Sequence, residues 1–186
     1  DLSPAQLKEL NVDLARLTVV KDGVSYTDGE TITPADIFAH VAAGGDLCST
    51  TAYNIGEYEA LFAKYAGEYD GIIHISLGSG FSSSYRNACI AAEDFPNVRV
   101  IDSQNLSTGQ GLVVLEACRL AKELEDLDEI ADKLNAFTPR VEASFLLDQL
   151  KYMAKGGRCS AATALGANLL NLKPCIEVKG GKMSVG

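Results

Sequence analysis

The spacing of apolar positions changes period several times along the chain, and each change marks an element. PAQLKELN (4–11) places Leu7 and Leu10 on one helical face behind a proline suited to a first turn. DLARLTVVKDGVSYTDGETIT (13–33) alternates apolar and polar residues around Asp22-Gly23, the strongest short-range hairpin signal. Thr33-Pro34-Ala35-Asp36 then opens a helix, with Thr33 as N-cap, Pro34 at the first helical position and Asp36 as the reciprocal cap; Gly44-Gly45 ends it. CSTTAYN (48–54) reads as a polar loop before IGEYEALFAKYA (55–66), whose Tyr58, Leu61, Phe62 and Tyr65 lie at helical spacing.

Two runs without alternation follow, GIIHI within YDGIIHISL (69–77) and NVRVID (97–102), and read as buried strands. LGSGFSSS links the first to a helix expected from about Ser83 to Glu93, and DSQNLSTGQG (102–111) reads as a polar loop after the second. Amphipathic helices are expected over GLVVLEACRLAKEL (111–124) and LDEIADKLNAF (127–137). ASFLLDQLKYM (143–153) begins as a strand and turns helical, KGGRCS (155–160) is a glycine turn, and ATALGANLLNL (162–172) reads as a helix. LKPCIEVKGGKMSVG (172–186) ends as a hairpin whose second strand has barely begun.

Strands alternating with helices over about 46–120 predict an α/β fold with a parallel sheet. The DG hairpin, at about 14–32, is expected as an antiparallel insert in a first lobe over 1–138, and 139–186 as the start of a second, α+β lobe. Composition narrows the function. Among 186 residues, 47% are hydrophobic and 22% charged, the balance of an ordinary globular protein, and the net charge of −9 argues against nucleic acid as a partner. No run approaches the ~20 apolar residues of a membrane span. Cys48, Cys89, Cys118, Cys159 and Cys175, odd in number and without paired spacing, read as reduced, mostly buried thiols of a cytoplasmic protein. No metal and no cofactor are expected.

Ligands of an open parallel sheet bind outside the strand carboxyl ends, so LGSGFSSS and DSQNLSTGQG should converge on one edge. The helix after LGSGFSSS offers unpaired amides beside Ser82, Ser83 and Ser84: an anion seat, or simply a capped turn. The loop lacks the GK[ST] ending of a phosphate loop and the third glycine of a dinucleotide fingerprint. Gly80 stands where a nucleophile elbow would place its serine, and neither His40 nor His74 is placed to serve as its base. Asp102-Ser103 orients a ligand, binds a cation or forms a turn, and Arg158, flanked by Lys151 and Lys155, either contacts a partner or phosphate or sits on a solvated turn.

Together these segments resemble the DegV family of bacterial lipid-binding proteins. ARLTVVKDGVSYTDGETITPADIF resembles its hairpin and following helix, STTAYNIGEY its TSQPS-type loop, and LGSGFSSSYRNA its SSGLSGTYQSA-type loop. VIDSQNLSTGQG resembles its VIDS loop, and LLDQLKYMAKGGRCSAATALGANLLNLKP its glycine-glycine-arginine signature. The resemblance implies a two-lobed, non-catalytic protein enclosing a long-chain fatty acid in an apolar tunnel, the carboxylate held by Thr50, Ser82 and the Ser83 amide. Beside this seat, Thr51, Tyr53, Ser79, Asp102 and Ser103 are candidates for the pocket or its entrance, and Arg158 for a partner contact. The partner it implies is a dihydroxyacetone-kinase-like fatty acid kinase that makes acyl phosphate for phospholipid synthesis; lipid handling is also compatible with transient membrane contact. The sequence departs from the family pattern at Ala52-Tyr53, for Gln-Pro, and at Ser83-Ser84, for Gly-Thr. Relative to the family, the first strand with its DST-type loop and most of the second lobe are expected to be missing. The rival reading is an enzyme acting on a small phosphorylated or acyl substrate at the same serine loop.

Overall fold

The computed structural model describes residues 2–158 and 173–185. The helix expected over 162–172, and Cys159, lie outside them. Helix α1 (Pro4–Glu9) leads to a hairpin of β1 (Thr18–Lys21) and β2 (Val24–Thr27), then α2 (Pro34–Ala42). Asp22 and Gly23 take φ of 51° and 77°, the left-handed pair a two-residue hairpin turn requires. Thr33 and Asp36 cap α2 reciprocally: the Asp36 amide donates to Thr33 Oγ1 at 3.3 Å, and the Thr33 amide to Asp36 Oδ2 at 2.8 Å.

CSTTAYN is not wholly loop. Ser49–Thr51 forms β3, antiparallel to β1 with Thr50 opposite Val19. All three of its residues are exposed, so the strand has no apolar face to announce it. The alternating layer follows: α3 (Ile55–Ala66), β4 (Ile72–Ser76), α4 (Ser84–Ala92), β5 (Val98–Asp102), α5 (Ser107–Glu123) and α6 (Leu127–Phe137). β4 and β5 pair in parallel, Ile72 opposite Val98 and Ser76 opposite Asp102. Among the described residues the parallel sheet is these two strands, fewer than the strand–helix rhythm from residue 46 implied. α5 also starts one turn earlier than expected, despite Gly109 and Gly111. A Cβ at residue 109 would lie 2.1 Å from Asn105 Oδ1, so close packing outweighs the poor helix propensity of glycine there.

Because successive strand side chains point to opposite faces, the two strands carry two cores. Ile72, Val98 and Val100 pack with Tyr58 and Phe62 of α3 and Ala88 and Ala91 of α4. Ile73, Ile75 and Ile101 pack with Val113, Leu120 and Leu134 of α5 and α6. Beside β4 runs a groove of about 1140 Å³ whose walls include Leu7, Leu61, Phe62, Ile73, Ile75 and Val114. The Gln110 amide reaches across to the Ile75 carbonyl at 3.1 Å. After a 3₁₀ turn (Thr138–Arg140), β6 (Ala143–Leu146), α7 (Lys151–Lys155), β7 (Cys175–Lys179) and β8 (Lys182–Val185) close the described chain. β6, β7 and β8 form an antiparallel sheet in that order. Cys48, Cys89, Cys118 and Cys175 are free and half-buried rather than fully so.

His74 is a half-buried histidine among aromatic rings, its centroid 5.0 Å from Tyr58 and 5.7 Å from Phe62. Among the described residues its Nε2 has no hydrogen-bond partner, and burial pushes its pKa down from 6.5 to about 4. As pH falls, the unfolded chain binds this proton first. The stability from neutral burial of His74 is therefore complete above pH 6.5 and lost progressively between 6.5 and about 4. We expect His74→Leu to gain about 3 kcal/mol on the wild type across that window. Parallel urea titrations at several pH values check this, and a difference independent of pH contradicts it.

Candidate functional site

The site is assembled where β4 and β5 end. Asp102, the last residue of β5, reaches back to the serine loop after β4. Its Oδ1 accepts from the Ser79 amide at 3.0 Å and its Oδ2 from the Ser79 hydroxyl at 2.6 Å. The same Oδ1 accepts from the Gln104 amide at 2.9 Å, holding Gln104 at a left-handed φ of 51°. The Gly78 amide donates to the Asn105 carbonyl at 2.9 Å, and the Ser103 amide to the Ser76 carbonyl at 3.3 Å. The two loops thus converge, as strand order alone led one to expect. Asp102 serves both loops, and Ser103, wholly buried, donates to the Asn105 carbonyl while accepting from the Asn105 amide.

Helix α4 begins at Ser84, one residue beyond the expected start. Ser82 Oγ accepts from the Ser84 amide at 3.2 Å and lies 2.9 Å from the Ser84 hydroxyl. The next first-turn amides have no intrahelical acceptor. Ser83 is exposed with φ −74° and ψ −3°, so serine in place of the family's glycine brings no backbone strain. Thr50 and Thr51 are exposed on β3, and the loop after them is tied to α4 by Asn87, whose side-chain amide donates to the Tyr53 carbonyl at 2.8 Å. Among the described residues no hydrogen bond joins Thr50 to Ser82. The Tyr53 ring packs edge-on against Tyr58 at 4.8 Å. Arg86 is exposed, and Arg158, also exposed, approaches the Phe81 carbonyl with Nη2 at 3.5 Å.

Pattern reading overlooked the support beneath the loop. Tyr58, Ser76 and Ser84 are each buried, and both serine hydroxyls act to lower the phenol's pKa against the larger effect of burial. Burial pushes Tyr58 and Tyr85 up to about 12, so both stay neutral. Asn87 was equally unnoticed, although a polar residue one turn after Ser84 is a usable signal. The arrangement presents hydroxyls and amides and, among the described residues, no side-chain cation bonded to them, which suits one carboxylate better than a polyphosphate.

A parallel strand pair between helices, flanked by antiparallel sheets and ending in a hydroxyl-rich loop at a helix start, defines a mixed α/β domain built around strand-end loops. The chain belongs to the DegV family: the family model described as "Uncharacterised protein, DegV family" matches residues 1–186. A DegV domain-containing protein of Caldanaerobacter subterraneus is 31% identical over this whole chain and 66% of its own length. One from Listeria innocua is 33% identical over 94% of this chain and 63% of its own. The chain thus spans about two thirds of these relatives. A Thermus thermophilus structure described as fatty acid binding by a DegV family protein superposes with a TM-score of 0.90 at 30% identity, over 100% of this chain and 67% of that one. A stearic-acid-binding protein of Eubacterium ventriosum superposes with a TM-score of 0.87 at 26% identity, over 100% of this chain and 66% of its own.

Proposed function

We propose that this protein binds a long-chain fatty acid, its carboxylate seated on Thr50, Ser82 and the Ser83 amide. The observation that carries the reading is the serine loop: clamped by Asp102 and Ser79, it presents neutral donors at the first turn of α4. Neutral donors hold one carboxylate without the buried salt bridge that would resist its release. Acyl burial at ~0.8 kcal/mol per CH₂ supplies most of the affinity. The fatty-acid-binding descriptions of the Thermus and Eubacterium structures support this. The chain acts as a carrier, since Ser82 Oγ is bonded to another serine hydroxyl rather than to a base that would activate it. It presents the acid to a fatty acid kinase for acyl-phosphate formation, with Arg158 at the partner contact. The α/β layer with its hairpin forms one lobe, and the sheet of β6, β7 and β8 begins a second.

Mass spectrometry of acids extracted from the purified protein tests the reading; recovery of a long-chain fatty acid is expected. Ser82→Ala should weaken rebinding about tenfold, the scale of one hydrogen bond to a charged group, and lower kinase-dependent phosphorylation in proportion. Protein that carries no acid and rebinds none overturns it.

A further inference from the structure

The antiparallel sheet meets the α/β layer through separated contacts. At the start of β6, the Asn105 side-chain amide donates to the Val141 carbonyl at 2.8 Å, a buried tie close to where the chain crosses. At the other end, the tip of the β7–β8 hairpin, Gly180-Gly181, lies on the serine loop. A Cβ at residue 80 would sit 2.0 Å from the Gly181 carbonyl oxygen and 3.2 Å from its carbon, so only glycine at 80 permits this approach. Gly180 and Gly181 take φ of 54° and 73°, which turns the hairpin sharply enough to present that carbonyl. Gln104, held by Asp102, flanks Gly181 on its other side. Arg158 reaches the same loop at the Phe81 carbonyl. Between these contacts lies a cavity of about 290 Å³ lined by Leu106, Thr108, Ala143, Phe145 and Val178 among others.

We propose that the β7–β8 hairpin is a latch on the serine loop, hinged near Asn105–Val141, and that its seating at Gly80 sets how fast ligand leaves the carboxylate seat. The contact falls two residues before Ser82, so a seated hairpin holds the loop in its clamped form. Glycine meets glycine backbone there without interlocking side chains, an interface that closes tightly yet has little to break on opening. The cavity behind it leaves the sheet room to swing about the Asn105 tie. Transient release of such an element is a usual control on exchange of an enclosed ligand. The kinetic consequence rests on the fatty acid reading; the latch itself rests on the glycine contact alone.

Gly80→Ala places a methyl group against the Gly181 carbonyl and keeps the hairpin from seating. Hydrogen exchange followed by mass spectrometry should show faster exchange across 180–182 in the variant, with protection of the β4–β5 core unchanged. Dissociation of the fluorescent fatty acid cis-parinaric acid should quicken about tenfold, with a smaller change in the association rate. Arg158→Ala, which leaves the backbone untouched, should quicken dissociation in the same direction by about two- to threefold. Unchanged exchange at 180–182 in Gly80→Ala overturns the latch whether or not the protein binds fatty acid. Faster hairpin exchange with an unaltered dissociation rate overturns its control of the ligand. If the wild type takes up no parinaric acid, the fatty acid reading falls, while the exchange measurement still decides the latch.

Discussion

Replacing Phe62, the largest fully buried side chain among the described residues, by alanine is expected to destabilise the fold by about 3–5 kcal/mol. Phe62 is 1% exposed and holds together four aromatic groups: its ring stacks on Tyr58 at 5.7 Å and meets His74 at 5.7 Å and Phe95 at 5.9 Å edge-on. Removing the ring costs its transfer free energy and leaves a void in a close-packed core. The void widens the groove beside β4, which His74 already lines, so more water reaches the imidazole and its pKa should rise towards the ordinary range. Urea denaturation at neutral pH measures the first effect and NMR titration of the imidazole the second. A loss below about 1 kcal/mol would mean that α3 is not packed as described.

Asp102→Ala is expected to weaken fatty acid binding at least about tenfold and to cost about 2–3 kcal/mol of stability, although the carboxylate need not touch the ligand. One side chain accepts from the Ser79 amide, the Ser79 hydroxyl and the Gln104 amide, so its loss frees both strand-end loops and the strained backbone at Gln104. Asp102→Asn keeps one oxygen acceptor and should fall between the two. Calorimetric titration with a fatty acid, beside thermal unfolding, separates the binding loss from the stability loss. Full affinity in Asp102→Ala would show that the seat does not depend on the clamp.

Features that depend on neighbours in sequence were legible from sequence. Asp22-Gly23 and Gly180-Gly181 mark their hairpins because left-handed φ is a local requirement. Thr33-Pro34-Ala35-Asp36 marks a helix start because both capping bonds close within one turn. The apolar runs around Ile73 and Val100 mark strands with a core on each face, and their strand-end positions mark the two polar loops that converge. β3 was not legible, because three exposed residues pair with β1 by backbone bonds that leave no trace in side-chain pattern. Nor was the first turn of α5, where Gly109 packs on Asn105.

The sequence by itself determined most of the elements, their turns and a hydroxyl-rich loop at the end of β4, but not β3 or the first turn of α5. Tertiary structure decided what that loop meets: Asp102 from twenty-three residues on, Gly181 from a hairpin far along the chain, and Asn87 holding the neighbouring loop. The physical reason is distance along the chain. Caps and turns are closed by bonds between near neighbours, whereas a clamp or a latch exists only once two remote backbones have been brought within an ångström or two of their contact limit.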